Sequence, residues 1–286
     1  MTPLAVGLVL ISALLHAGWN LFGKGSADKS AFFFAQGLVT LGLCGPFAAV
    51  VWSSQHINAL GWLCIALSAA AHAGYALFLV KAYEVGDLSV AYPLSRSAPA
   101  LVLIWEITIG RQRLSVWGIA GALLAVAGAL LVQWPLLRQR GVRGVLRADV
   151  TRYALITACF IAAFTIVDKL GVSQVHPLIF LLLILAGEFP VFAIRMGAAI
   201  GTRLRLEWRR TWRTIVITAV VGPFSYLLIL WALRAAPATY VLSLRQTSIV
   251  FGVILGRFVL GESGTRYPLY GALAITLAGV LISLGG

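Results

Sequence analysis

Two arginines are the most informative residues of this chain, because each falls well inside a long apolar run. Arg96 and Arg245 lie about seven or eight residues into their runs. A charge at such a position costs about 2.5–3.5 kcal/mol on insertion scales, so an intramembrane ionisable group is a functional candidate by default. A guanidinium does not shed its proton, and its fork of donors suits carboxylate or phosphonate oxygens. The pair therefore predicts recognition of an anionic group on a small metabolite. The competing reading gives each arginine a buried carboxylate partner or a helix end.

The remaining polar groups inside the runs are few. His16, Asn20 and Lys24 recur every fourth residue on one face of the first run, with Trp19 beside them. His72 lies in the third run with Tyr75 next to its stripe, and Tyr92 and Tyr226 add hydroxyls. Trp19, Asn20, His72, Tyr75, Tyr92 and Tyr226 join the two arginines as candidate substrate-binding residues. Histidine titrates near neutral pH, and a carboxylate in an apolar run can carry a proton. Glu188, His16 and Glu106 are therefore the candidate coupling residues. An interhelical hydrogen bond is the plain alternative for His16 and His72. Glu106 lies ten residues beyond Arg96, about 15 Å along a helix, so those two are not partners. Pro190 follows Glu188, and Pro93 and Pro99 flank Arg96; each proline leaves a backbone carbonyl free.

The elements that carry these residues are membrane spans. Of 286 residues, 60% are hydrophobic and 11% charged, against about 25% charged in ordinary soluble domains. The runs are continuous, not alternating, which excludes a β-barrel. A spanning helix needs about 20 mostly apolar residues. Ten such runs are read: Thr2–Phe22, Ala31–Trp52, Ala59–Tyr83, Leu88–Ile109, Ser115–Trp134, Tyr153–Leu170, Pro177–Met196, Trp212–Leu233, Ala238–Leu260 and Tyr267–Leu284. The three cysteines, 44, 64 and 159, fit neither a metal site nor a disulfide framework. No metal, cofactor or nucleic acid is expected.

The basic interval Pro135–Thr151 divides the runs into five and five, and the halves resemble each other. Trp19–Lys24 lies on Phe164–Lys169, Tyr75–Arg96 on Tyr226–Arg245, and GALLAVAGALL (Gly121–Leu131) on GALAITLAGVLI (Gly271–Ile282). Five is odd, so the halves insert with opposite orientation. Inverted repeats of this kind are a transporter architecture with the binding site near the midplane. The fold class is thus an all-α membrane protein of ten transmembrane helices in two inverted five-helix repeats. Gly118, Gly121, Gly128, Gly271 and Gly279 are read as packing residues.

Four segments carry a family resemblance: ALLHAGWNLFGK (Ala13–Lys24), VGDLSVAYPLSRSAP (Val85–Pro99), LRQTSIVFGVILG (Leu244–Gly256) and LGE (Leu260–Glu262). With them the chain resembles the ten-helix EamA-type branch of the drug/metabolite transporter superfamily. The resemblance implies a first repeat over 1–134, a basic linker over 135–151 and a second repeat over 152–286. It departs from the family where Gly-Glu is usual after the fourth helix, since this chain has Gly110-Arg111. Some related anion carriers also place basic residues on their ninth helix.

The expected function is secondary transport of a small metabolite by alternating access, the anionic group belonging to an amino acid, an organic acid or a phosphonate. No Walker A motif, metalloprotease HExxH or GxSG-type serine site is present, so an enzyme is not expected. A membrane-embedded enzyme and a non-transporting receptor or assembly factor are the alternatives. Arginine over lysine and compact loops point to a bacterial inner (plasma) membrane, with anionic lipid at the arginine clusters. Monomer and homodimer both remain open. Sixteen of the 22 Lys and Arg side chains fall on one set of alternate connections and four on the other, with Arg96 and Arg245 set aside. By the positive-inside rule the termini lie outside, whereas ten-helix relatives are usually drawn with both inside. The tally treats two arginine clusters as connections, the first Arg138, Arg140, Arg143, Arg147 and Arg152, the second Arg195, Arg203, Arg205, Arg209, Arg210 and Arg213.

Overall fold

The computed structural model describes residues 1–23, 26–85, 95, 97–110, 113–132, 134, 138, 149–259 and 266–285. Among them there is no strand. The helices are α1 (Pro3–Gly23), α2 (Lys29–Trp52), α3 (Ala59–Val85), α4 (Ala98–Thr108), α5 (Val116–Val132), α6 (Asp149–Gln174), α7 (Pro177–Met196), α8 (Ile200–Ala235), α9 (Ala238–Arg245), α10 (Thr247–Val259) and α11 (Arg266–Gly285). Each of the ten apolar runs holds a helix, and the ninth holds two. Four stretches are long and apolar enough to cross a membrane: Lys29–Trp52, Ala59–Ala82, Thr151–Gln174 and Pro177–Ala235. Shorter apolar helices accompany them.

Inside and outside are arranged for lipid. Large apolar side chains point outward, with Phe47, Val50, Val116 and Ile194 at least 70% exposed. The interior is rich in small and polar residues, among them Ser12, Thr40, Ser68, Thr157, Asp168 and Thr218. Lipid supplies no hydrophobic drive for helix association, so close packing and interhelical hydrogen bonds must hold the bundle. Ser12 and Ser225 show this. Each hydroxyl donates to the other residue's carbonyl, at 2.7 and 2.9 Å, and so fastens α1 to α8.

The extensive contacts run between the halves. The helix α3 packs on α6, and its counterpart α8 packs on α1. In the same way α2 meets α8 as α7 meets α3, and α1 meets α10 as α6 meets α4. Each pairing is mapped onto its partner by exchanging the two halves. The equivalent helices α5 and α11 pack directly on each other. A Cβ on Gly121 would fall 2.8 Å from the Ala278 carbonyl oxygen, and one on Gly128 would fall 2.9 Å from that of Gly271. One number rises as the other falls, so equivalent helices run antiparallel and the repeats are inverted. Glycine at these two positions lets the backbones touch.

The connections sort into two faces. Asn58 Nδ2 donates to Gln174 Oε1 at 2.8 Å, and the His176 amide to Gln55 Oε1, joining the 2–3 and 6–7 connections. The Ser115 amide donates to Tyr240 Oη at 2.9 Å, next to the 8–9 turn. Trp52, Trp62, Trp117 and Trp231 are exposed near this face, where amphipathic rings favour the membrane–water boundary.

On the opposite face the second arginine cluster is not a loop. Arg195 lies in the last turn of α7, a short 3-10 turn covers Gly197–Ala199, and α8 begins at Ile200. The remaining five arginines of the cluster ride on that helix, which leaves helical geometry only at Thr211. Treating this cluster as a simple connection is therefore corrected. Residues 200–210 form a basic amphipathic extension ahead of the eighth span. Most of the first cluster lies outside the described residues. Arg203 clamps Asp28, the N-cap of α2, with Nε to Oδ2 at 2.6 Å and Nη2 to Oδ1 at 2.9 Å. The Asp28 amide donates to the buried Glu207, whose other oxygen accepts from Thr211 at the kink. The 1–2 connection and the basic extension thus share a face.

The Arg203 bond holds the Asp28 carboxyl below its ordinary range. A carboxylate lowered in the folded state stabilises above the ordinary carboxylate range, and that contribution fades as pH falls through it. Both side chains are partly exposed, so the ion pair is worth about 1 kcal/mol. Arg203→Gln is expected to lower thermal stability at neutral pH, with the gap to the parent closing in acid. An equal gap at both pH values would show that packing, not charge, is lost.

Candidate functional site

A polar cluster joins the two halves at the crossing of α3, α6, α8 and α9. One turn of α3 presents Ser68 and His72, one turn of α6 presents Phe164 and Asp168, α8 brings Tyr226, and Arg245 ends α9. The hydroxyls of Ser68 and Tyr226 donate to the two oxygens of Asp168. His72 Nδ1 lies 3.0 Å from the Ser68 carbonyl and 3.2 Å from Ser68 Oγ. A carbonyl only accepts, so neutral His72 carries its hydrogen on Nδ1 and leaves Nε2 as the acceptor. The ring stacks on Phe164 at 3.9 Å and meets Tyr226 edge-on at 5.4 Å. Tyr75 packs edge-on against the same Phe164 at 5.9 Å.

Arg245 lies with its guanidinium carbon 5.3 Å from the centre of the Tyr226 ring and within Coulombic range of Asp168. Glu188 is in Coulombic range of both Asp168 and Tyr226. Ser68 and Asp168 are fully buried, while His72, Glu188, Tyr226 and Arg245 keep part of their surface accessible. Arg245 owes its position to a break. The helix α9 stops there, the Gln246 amide turns back to the Ser243 carbonyl at 3.1 Å, and Thr247 Oγ1 takes the Leu244 carbonyl at 2.8 Å. The polar run Gln246-Thr247-Ser248 offers the backbone partners outside the helical pattern. The freed C-terminus of α9 carries partial negative charge and favours a cation at its end.

Trp19 occupies the corresponding place in the other half. It stacks with His16 at 5.6 Å, donates from Nε1 to Gln36 Oε1 at 3.3 Å and packs against Phe33. It sits so close to Gly222 of α8 that a Cβ there would fall 2.7 Å from Nε1. Both halves thus put an aromatic ring of their first helix against the third helix of the other half. Among the described residues only the Phe164 side is charged. Of the sequence candidates, His72, Tyr75, Glu188, Tyr226 and Arg245 gather in one place, while His16 and Trp19 gather in the other. Arg96, Tyr92 and the side chain of Asn20 lie outside the described residues.

Glu106 stands apart from both. Its oxygens accept the amides of Ala238 at 2.7 Å and Thr239 at 3.0 Å, the first residues of α9. On the other side of the tight turn, Lys169 Nζ donates to the carbonyls of Ala236 at 2.7 Å and Leu233 at 3.3 Å. An acid thus sits on an amide end and a base on a carbonyl end, each complementing the helix dipole.

Asp168 was not among the sequence candidates. Ending the sixth run at Leu170 put Asp168-Lys169 at a span end, where charge costs little. The helix continues to Gln174, so both residues lie deeper. The available signal was polar Ser68 one turn from His72, which needs a partner in lipid. These residues do not form a hydrolytic relay. In a Ser-His-Asp triad the histidine stands between the other two, whereas here Ser68 stands between His72 and Asp168 and is fully buried.

The EamA-like transporter family model matches residues 3–134 and 152–284. The chain belongs to the EamA-like transporter family. A solved structure titled only "Crystal structure of protein" has the same fold, with a TM-score of 0.73 at 14% identity, covering 98% of this chain and 96% of that one. No curated protein matches the sequence. Membership of the EamA-like family makes the chain a multi-pass membrane protein of a family that transports small molecules.

Proposed function

We propose that the protein is a secondary active transporter whose halves rock about the central cluster and carry a small metabolite bearing an anionic group. The observation that carries this reading is Arg245, a permanently charged and partly accessible fork at the end of a broken helix, held over Tyr226. Broken helices near the midplane are where inverted-repeat transporters bind their cargo. Amino acids, organic acids and phosphonates present the group a guanidinium grips. Uptake of labelled glycine, lactate and methylphosphonate into proteoliposomes tests this. Saturable uptake of at least one, requiring sealed vesicles, is expected. Transport confined to cations would overturn it.

The basic extension at residues 200–210 and the arginines before α6 fit anionic lipid at the inner face of a bacterial plasma membrane. Under this reading both termini lie outside. A C-terminal reporter active only outside the cytoplasm should therefore be active, and activity of a cytoplasm-only reporter would reverse the assignment.

A further inference from the structure

We infer that Asp168 is the proton site of this transporter and that the cargo anion and Asp168 share Arg245 in turn, so that one proton travels with each anionic charge. This rests on the reading of Arg245 as the anion site. Every described group facing Asp168 fits the scheme. The helix α3 presents Ser68, His72 and the thiol of Cys64, α8 presents Tyr226, α9 presents Arg245, and α7 presents Glu188. Lys169, next in sequence, is turned to the carbonyls of α8, and Glu106 of α4 to the amides of α9. Among the described residues one cation therefore faces Asp168 within the cluster, and an arriving anion competes for it.

Before cargo arrives the Asp168 carboxylate accepts from two hydroxyl donors and lies within Coulombic range of Arg245. When a cargo anion takes the guanidinium, two anions would share one cation away from bulk water, where unlike charges attract and like charges repel far more strongly than in solution. A proton on Asp168 removes the conflict. The new acid donates from Oδ1 to Ser68 Oγ, whose own hydrogen now points to His72 Nδ1, and the Tyr226 hydroxyl turns from the neutralised Asp168 to the anion beside Arg245. One proton and one negative charge have entered, so the charge of the site is unchanged.

The proton has a path. Asp168 is fully buried but His72 is not. Water protonates His72 at Nε2, Nδ1 releases its hydrogen to Ser68 Oγ, and the Ser68 hydrogen passes to Asp168. Release runs the same steps backwards and restores the first tautomer of His72.

The test uses proteoliposomes with an internal pH dye and glycine, lactate or methylphosphonate outside, with Arg245→Gln vesicles reporting passive leak. Wild-type uptake should acidify the lumen. Asp168→Asn should abolish accumulation driven by an imposed pH gradient while exchange stays measurable, so the ratio of the two falls at least tenfold. Ser68→Ala and Tyr226→Phe, each removing one donor, should lower that ratio about tenfold and serve if Asp168→Asn fails to fold. Undiminished pH-driven accumulation in these variants would overturn the inference. If wild type takes up none of the three anions, the anion reading of Arg245 fails. Asp168 is then judged alone, by an infrared pH titration in lipid. A carboxylic acid band lost in Asp168→Asn supports the proton site, and the same band persisting there refutes it.

Discussion

Replacing Arg245 by glutamine is expected to lower kcat/KM for the transported anion about 100-fold. A charge-assisted hydrogen bond contributes about 1.5–3 kcal/mol, and a hundredfold loss corresponds to roughly 2.7 kcal/mol. Glutamine keeps a donor at this position and loses the charge and the fork. Lysine keeps the charge as a point donor, so Arg245→Lys should fall between the two, about tenfold down. Arg245 also faces the buried Asp168, so the glutamine variant leaves that carboxylate without its cation and should be less stable. Combining it with Asp168→Asn separates the two roles. The double variant should regain thermal stability and remain inactive, because charge balance returns and the anion fork does not. A single variant transporting at the parental rate would show that the anion is bound elsewhere.

The parts of the fold that were legible are those set by local pattern. GALLAVAGALL and GALAITLAGVLI marked their glycines as packing residues, and Gly121 and Gly128 do let backbones touch; that they join α5 to α11 was not legible in either segment. The start of the eighth span at Trp212 was legible too, and the helix kinks one residue before it. What precedes the kink was not. Six arginines read as a connection, since hydropathy does not distinguish a basic helix from a basic loop. Leu204, Trp208 and Thr211, roughly a turn apart, carried the helical period beneath the charge. The break after Arg245 was hidden because Gln246-Thr247-Ser248 is short and strongly apolar residues flank it. Depth along a span raised Glu106 to a candidate, but depth says nothing of partners. Those partners are the amides of Ala238 and Thr239, more than a hundred residues away in the other half.

Glu106→Ala is therefore expected to act on stability, and strongly. The side chain is fully buried and both its oxygens accept backbone amides. Its removal strands two donors at the start of α9, where no bulk water replaces the lost partners. It also takes from Lys169 the carboxylate within its Coulombic range. Leaving one member of a buried charged set without its partner costs about 3–5 kcal/mol. That is a large share of the stability of an ordinary protein, typically about 5–15 kcal/mol. Glu106→Gln keeps one acceptor and turns an amide NH2 toward the other backbone N–H, so it should recover part of the loss only. Thermal unfolding in detergent measures both. Arg245 should be displaced as well, since α9 carries it, and transport should fall in proportion to the folded fraction lost. A Glu106→Ala protein of parental stability that had lost pH-driven uptake would instead place Glu106 on the proton path, as its depth in the fourth run first suggested.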